Sequence, residues 1–126
     1  MTEPTTKLAG TAAAGPLPVF DREALLERLF GDEQTASLVL QVFLEDADGQ
    51  MRKVQEALDS DDARQVRFQS HTLHGAAANV GALALAHVAA GMELAGSRGD
   101  LPEARAQFPG LEFEMTRFKT ILQAGS

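Results

Sequence analysis

Apolar positions recur every three or four residues along most of the chain, and this spacing predicts helices. The pattern is clearest over residues 60–81, where one stripe of a helical wheel collects Val66, Ser70, Leu73, Ala77 and Val80. We expect one helix there with this stripe buried, and Ser60, Asp61 or Asp62 as its N-cap. No convincing alternation of period two occurs, so the chain is predicted to be all-α.

Four further segments have a helical pattern. We predict a short helix over 21–30, a long helix over 32–58, an alanine-rich helix over 82–96 and a last helix from Asp100 onward. The face of the long helix is predicted from the apolar residues Val39, Val42, Phe43, Ala47, Met51, Val54 and Leu58. Short links between four apolar-faced helices favour an antiparallel four-helix bundle, with the extra short N-terminal helix packing over one end.

The last helix contains Pro109 and Gly110, which ordinarily break a helix. The apolar rhythm nevertheless continues across them, through Phe108, Leu111, Met115, Phe118 and Leu122. A kinked helix with preserved register is the preferred interpretation, and two separate helices are the alternative.

Residues 1–18 mix Thr, Ala, Gly and Pro without a repeating apolar face, so we expect a flexible tail followed by one domain over 19–126. The net charge of −7 argues against a nucleic-acid partner. Cysteine is absent, which excludes disulfides and thiolate chemistry. The lack of a bilayer-length apolar run or a secretion signal favours a cytoplasmic protein that does not associate with membranes.

The side of the 60–81 helix opposite the stripe holds the candidate chemistry. It collects Arg64, Arg67, His71, His74, Gly75 and Ala78. A glycine in mid-helix costs about 1 kcal/mol relative to alanine, so its presence four residues after His71 needs a reason. Because Gly75 has no side chain, another protein could approach the His71 imidazole closely. The alternative is that Gly75 serves helix packing and His71 is a solvated surface residue.

A neutral imidazole can attack a phosphoryl group through one ring nitrogen while an acceptor holds the other as a donor. Glu93, at a similar height on the next helix, is the candidate acceptor. Arg67 and His74 lie where they could steady phosphoryl oxygens. Each of these side chains could equally be an ordinary solvated residue.

Other chemistries have weaker signals. His71, His74 and Glu93 would make a poor metal motif, since the histidines are spaced i, i+3 and a fourth ligand is missing, so we predict no metal ligands. No phosphate-binding loop, dinucleotide-binding turn or nucleophile elbow occurs. Any phosphoryl group on His71 must therefore come from another protein.

The segment from His71 to Gly81, HTLHGAAANVG, closely resembles the signature of histidine-containing phosphotransfer (HPt) domains, which runs His-x-Leu-Lys-Gly, then small residues and a second Gly. The resemblance extends over 19–126. It includes the Phe-Leu-Glu-Asp stretch at 43–46, the Gly-Ala turn at 81–82, and Glu93, where the family places Glu or Gln near the active histidine.

The resemblance implies that His71 is phosphorylated, that Gly75 admits the partner and that Glu93 orients the imidazole. Such domains have no kinase activity and relay phosphoryl groups between aspartates of response-regulator receiver domains or act beside hybrid sensor histidine kinases. They have no cofactor of their own, and the Mg²⁺ belongs to the receiver. The predicted partner-binding residues are Arg64, Phe68, Gly75 and Ala78.

One departure from the family is His74, which stands where a Lys is usual. Arg67 would then supply the positive charge that the Lys gives in the family. Two other functions stay open: an adaptor that binds partners through the His71 face without phosphate, and a structural bundle with an incidental surface histidine.

Overall fold

The computed structural model describes residues 17–124, and within them it contains five α-helices and no strand. The helices are α1 (Arg22–Arg28), α2 (Glu33–Asp59), α3 (Ala63–Asn79), α4 (Leu83–Ser97) and α5 (Leu101–Ala124). The prediction of an all-α helical bundle with an extra short N-terminal helix is confirmed. The predicted flexible tail over 1–18 lies, except for its last two residues, outside the described part.

Aspartates begin four of the five helices. Asp21, Asp32, Asp62 and Asp100 each accept a hydrogen bond from the backbone N–H three residues later, which satisfies a donor that the first helical turn leaves free. Of the three candidate caps predicted for α3, Asp62 is the one used. Helix α4 has no side-chain cap. In its first turn, the Ala84 N–H donates instead to the carbonyl of Pro18, in the segment before α1.

The predicted stripe of α3 is entirely buried. At one end of the bundle, Phe118 of α5 packs edge-on against Phe20 and Phe43, with ring centroids 5.6 and 5.5 Å apart. Such perpendicular pairs bring the positive ring edge to the negative ring face. These contacts join the segment before α1, α2 and α5 in one core.

Two predictions about individual helices need comment. On α2, the periodicity predicts Val42 on the buried face, but Val42 is exposed and Leu40 is buried instead. At about 100° per residue, Leu40 falls in line with the buried Ala36 and Ala47, whereas Val42 falls to one side of them. The last helix is continuous from Leu101 to Ala124 with Pro109 inside it, so the alternative of two helices is wrong. Pro109 lies on the exposed side while its neighbour Phe108 is buried, so the apolar register is preserved across it.

Across the described range, no helix combines the length and apolarity needed to cross a membrane.

Candidate functional site

The turn between α3 and α4 is fixed by a close backbone contact. Gly81 has φ +82°, and a Cβ there would lie 2.7 Å from the Asp21 carbonyl oxygen. The Asp21 N–H donates to the Gly81 carbonyl at 2.8 Å. Only glycine combines this left-handed backbone with such a close neighbour, so the turn and the start of α1 hold each other in place.

At the other end of the hairpin the two helices touch backbone to backbone. A Cβ on Gly96 of α4 would lie 2.7 Å from the backbone nitrogen of Arg67 and 3.0 Å from the Ala63 carbonyl oxygen. With both ends fixed, the facing residues of α3 and α4 have a defined height relative to one another. This alignment places Glu93 beside His71.

The His71 Nδ1 and the Glu93 Oε2 are 2.8 Å apart, so the structure brings together the pair that the sequence predicted. The His71 side chain is 69% exposed, and that of Glu93 is 25% exposed. The imidazole is therefore accessible, while the carboxylate beneath it is mostly shielded from solvent.

A second imidazole shares the same carboxylate. The His74 Nδ1 lies 3.1 Å from Glu93 Oε1, and the two histidine rings are nearly perpendicular with centroids 6.4 Å apart. The sequence suggested contact between His74 and a phosphoryl group and did not predict its bond to Glu93. The signal was present, because residues three apart on a helix share one side.

Burial raises the pKa of Glu93, but hydrogen bonds from His71 and His74, together with the positive charge that either imidazole has when protonated, more than offset it, so the pKa lies below its ordinary value. The carboxyl is thus ionised at neutral pH and only accepts hydrogen bonds. Each histidine must then carry a proton on Nδ1. In a neutral His71 this tautomer leaves a lone pair on Nε2, the nitrogen that is not bonded to Glu93.

The surface beside His71 is open. A Cβ added to Gly75 would meet nothing within 4 Å, so packing among residues 17–124 gives no reason for a glycine there. Ala78 is half-buried, and its carbonyl accepts a bond from the Arg28 guanidinium at 2.9 Å. The predicted low surface on this side of α3 is present.

Three further predicted residues lie on α3 near this surface. Arg64 and Arg67 are exposed, and neither side chain forms a hydrogen bond or an ion pair with any residue in 17–124. Phe68 is also exposed, although it is a large aromatic residue. Arg67 and Phe68 thus lie about one helical turn before His71 on α3, and Arg64 lies about two turns before it.

The sequence analysis did not predict that exposed apolar residues of α2 line a groove beside α3. Leu38 and Val42 are exposed and line a groove of about 320 Å³ between α2 and α3, together with Ala76 and Asn79. The available signal was the i, i+4 spacing of these two apolar residues beside the core stripe. The periodicity placed Val42 inside and so concealed the groove.

A known protein family matches most of the chain. The Hpt domain family matches residues 38–124, which is more than half of the chain and includes every residue of α3 and α4. The chain therefore belongs to the Hpt domain family.

A solved structure agrees with this assignment. The crystal structure of histidine-containing phosphotransfer protein B from Pseudomonas aeruginosa PAO1 has a similar fold, with a TM-score of 0.79 and 26% sequence identity. The similarity covers 86% of this chain and 94% of that one. None of the curated proteins compared with the chain matches it.

Proposed function

We propose that this protein relays phosphoryl groups in a two-component phosphorelay, with His71 accepting from one receiver aspartate and donating to another. The observation that carries the proposal is the exposed His71 imidazole whose Nδ1 is bonded to the shielded carboxylate of Glu93. Membership of the Hpt domain family supports it.

In the proposed reaction, the lone pair of His71 Nε2 attacks the phosphorus of an aspartyl phosphate. The N–P bond forms as the O–P bond breaks, and the aspartate leaves as a carboxylate. The imidazole keeps its Nδ1 proton and gains positive charge, which the Glu93 carboxylate 2.8 Å away stabilises. Donation to the next aspartate is the same step in reverse, so no proton has to leave the ring.

The phosphoryl oxygens also need a positive partner. The Nδ1–H of a neutral His74 is already given to Glu93, and its Nε2 then has no proton to donate. We therefore assign the phosphoryl-stabilising role first to Arg67, one turn before His71, whose guanidinium has no partner among residues 17–124. His74 would contribute only when it is protonated.

We propose that the receiver domain docks on the face around His71. Gly75 and Ala78 keep this face low, Arg64 offers positive charge, and Phe68 offers an apolar ring. The exposed apolar residues of α2 extend the surface. The Mg²⁺ that the transfer requires is expected on the receiver domain. A hybrid sensor histidine kinase is the expected upstream partner.

The test is phosphotransfer from a phosphorylated receiver to three proteins: wild type, His71→Gln and His87→Gln. His87 is a matched control, because it is exposed on α4 outside the predicted site. Wild type and His87→Gln should acquire an acid-labile, base-stable label, and His71→Gln should acquire none. Labelling of His71→Gln as strong as wild type would contradict the assignment. Unchanged receiver binding in His71→Gln, with no phosphohistidine in wild type, would favour the adaptor function.

A further inference from the structure

We propose that His71, His74 and Glu93 form a binding site for a divalent transition metal, with Zn²⁺ as the reference ion, and that the bound ion prevents His71 from accepting a phosphoryl group. The binding site stands on the geometry alone. The inhibitory effect rests on the function proposed above.

The three side chains already converge. One ligand atom from each lies within 4.8 Å of the others, and the two nitrogen-to-carboxylate distances are 2.8 and 3.1 Å. Around a tetrahedral zinc with bonds of about 2.0–2.1 Å, neighbouring ligand atoms are about 3.3 Å apart. The two contacts are made to different oxygens of Glu93, Oε2 for His71 and Oε1 for His74. A small rotation of these partly exposed side chains would bring both Nδ1 atoms around an ion bound to one of these oxygens.

The ligand set has a clear preference among ions. Two imidazoles and one carboxylate, with water in the fourth position, are a common zinc environment. Nitrogen ligands favour Zn²⁺, Ni²⁺ or Cu²⁺ over Mg²⁺, which prefers oxygen. The Mg²⁺ expected on a receiver would therefore not compete for this site.

The scaffold holds the ligands in place before any ion arrives. His71 and His74 lie on one side of α3, and Glu93 comes from α4, whose height is fixed by the Gly96 contact with Arg67. The sequence predicted no metal ligands, because the histidines are spaced i, i+3 and a fourth protein ligand is missing. The structure adds that the Glu93 carboxylate contacts both imidazoles, and water would take the fourth position.

Metal binding would change the tautomer of His71. An ion that occupies the site takes the Nδ1 lone pair, and the proton that leaves Nδ1 moves through solvent to Nε2. A neutral imidazole in this form has an N–H at Nε2 and no lone pair with which to attack phosphorus. Removing the metal restores the reactive tautomer, so the inhibition is reversible.

Binding is tested by calorimetric titration of Zn²⁺ into wild type, His74→Lys and His87→Gln, with Mg²⁺ titrated in parallel. The chain has three histidines, so His87→Gln controls for the one outside the cluster. We expect one Zn²⁺ site in wild type and His87→Gln, binding weakened about tenfold or more in His74→Lys, and no Mg²⁺ binding at the same concentrations. Circular dichroism checks that each variant is folded. Equal Zn²⁺ affinity in wild type and His74→Lys would overturn the site.

The inhibitory effect is tested with phosphoramidate as a chemical phosphodonor, which avoids any effect of Zn²⁺ on a receiver. For each protein, labelling is compared with and without Zn²⁺, and then after a chelator is added. Labelling should fall with Zn²⁺ in wild type far more than in His74→Lys, and the chelator should restore it. Zn²⁺ binding without loss of labelling would overturn the inhibition. If wild type is not labelled even without metal while Zn²⁺ still binds, the proposed function fails and the metal site stands.

Discussion

Gly75 on α3 and Gly96 on α4 lie on the same helical hairpin, but the space around them differs. A Cβ on Gly96 would lie 2.7 Å from the Arg67 backbone nitrogen, whereas a Cβ on Gly75 would meet nothing within 4 Å. The first glycine is required by the close packing of two helices. The second is required by nothing inside the described part of the chain.

The difference separates the packed side of α3 from its open side. On the packed side, small residues fix how α3 and α4 sit against each other and so place Glu93 beside His71. On the open side, the absence of a side chain is useful only if another molecule comes close to the imidazole. The same residue type thus serves structure at one position and access at the other.

The largest stability effect is expected from Gly96→Ala. The new Cβ would clash with backbone atoms of α3, and overpacking of this kind typically costs about 1–3 kcal/mol. This exceeds the gain of at most about 1 kcal/mol from replacing a helical glycine. Urea denaturation should therefore show a lower free energy of unfolding.

Gly91→Ala is the matched control on the same helix. The Cβ at position 91 would meet only the end of the flexible Gln107 side chain, which can move aside. If Gly96→Ala were as stable as Gly91→Ala, the packed side of the comparison would be wrong.

The open side is tested by Gly75→Gln, which should leave the fold intact. The rate of phosphotransfer from a receiver should fall about tenfold or more, which corresponds to an increase of about 1.4 kcal/mol in activation free energy. The long side chain would occupy the approach to His71. Gly75→Ala is the control and should raise stability by about 0.5–1 kcal/mol with a smaller loss of transfer. Full transfer rates in Gly75→Gln would show that the open surface has no role in partner approach.

Ser70 is a buried polar residue on the packed side of α3. Its hydroxyl is fully buried and has no hydrogen-bond partner among residues 17–124, which is an unfavourable state for a polar group. Ser70→Ala should therefore raise the free energy of unfolding by about 1 kcal/mol. A clear loss of stability in thermal denaturation would mean that the hydroxyl has a stabilising role.

The smallest effect is expected outside both regions, at the ion pair between Asp48 of α2 and Lys119 of α5, whose atoms are 2.7 Å apart. The hydrogen bond and the charge of Lys119 lower the pKa of Asp48. A lowered carboxyl pKa stabilises the folded state at pH values above the unfolded pKa of about 3.9, and this contribution is lost as pH falls through the lower folded pKa.

Asp48→Asn should accordingly melt slightly below wild type near neutral pH, and the two melting temperatures should converge in acid. Salt should narrow the gap, because the pair is exposed. A difference in melting temperature that persists unchanged at the lowest pH would show that it has a cause other than the charge of Asp48.

Much of the fold was predictable, because periodicity reports burial directly: the α3 stripe and the capping role of aspartates follow from spacing and residue type. The pairing of His71 with Glu93 was predictable too, since the Gly81 turn sets the register of the hairpin. The bond from His74 to the same carboxylate and the exposure of Val42 were not. Spacing within one helix shows only which side chains share a face, whereas both of these features also depend on side-chain direction and on which neighbouring helix lies nearest.

The central claim is that His71 carries the phosphoryl group on Nε2 while its Nδ1–H stays bonded to Glu93. ¹⁵N NMR of the three imidazoles after phosphorylation, read together with ³¹P NMR, tests it most directly. The account predicts phosphorus coupled to Nε2 of His71 and a proton retained on Nδ1. Phosphorus on Nδ1 of His71, or on any other residue, would contradict it.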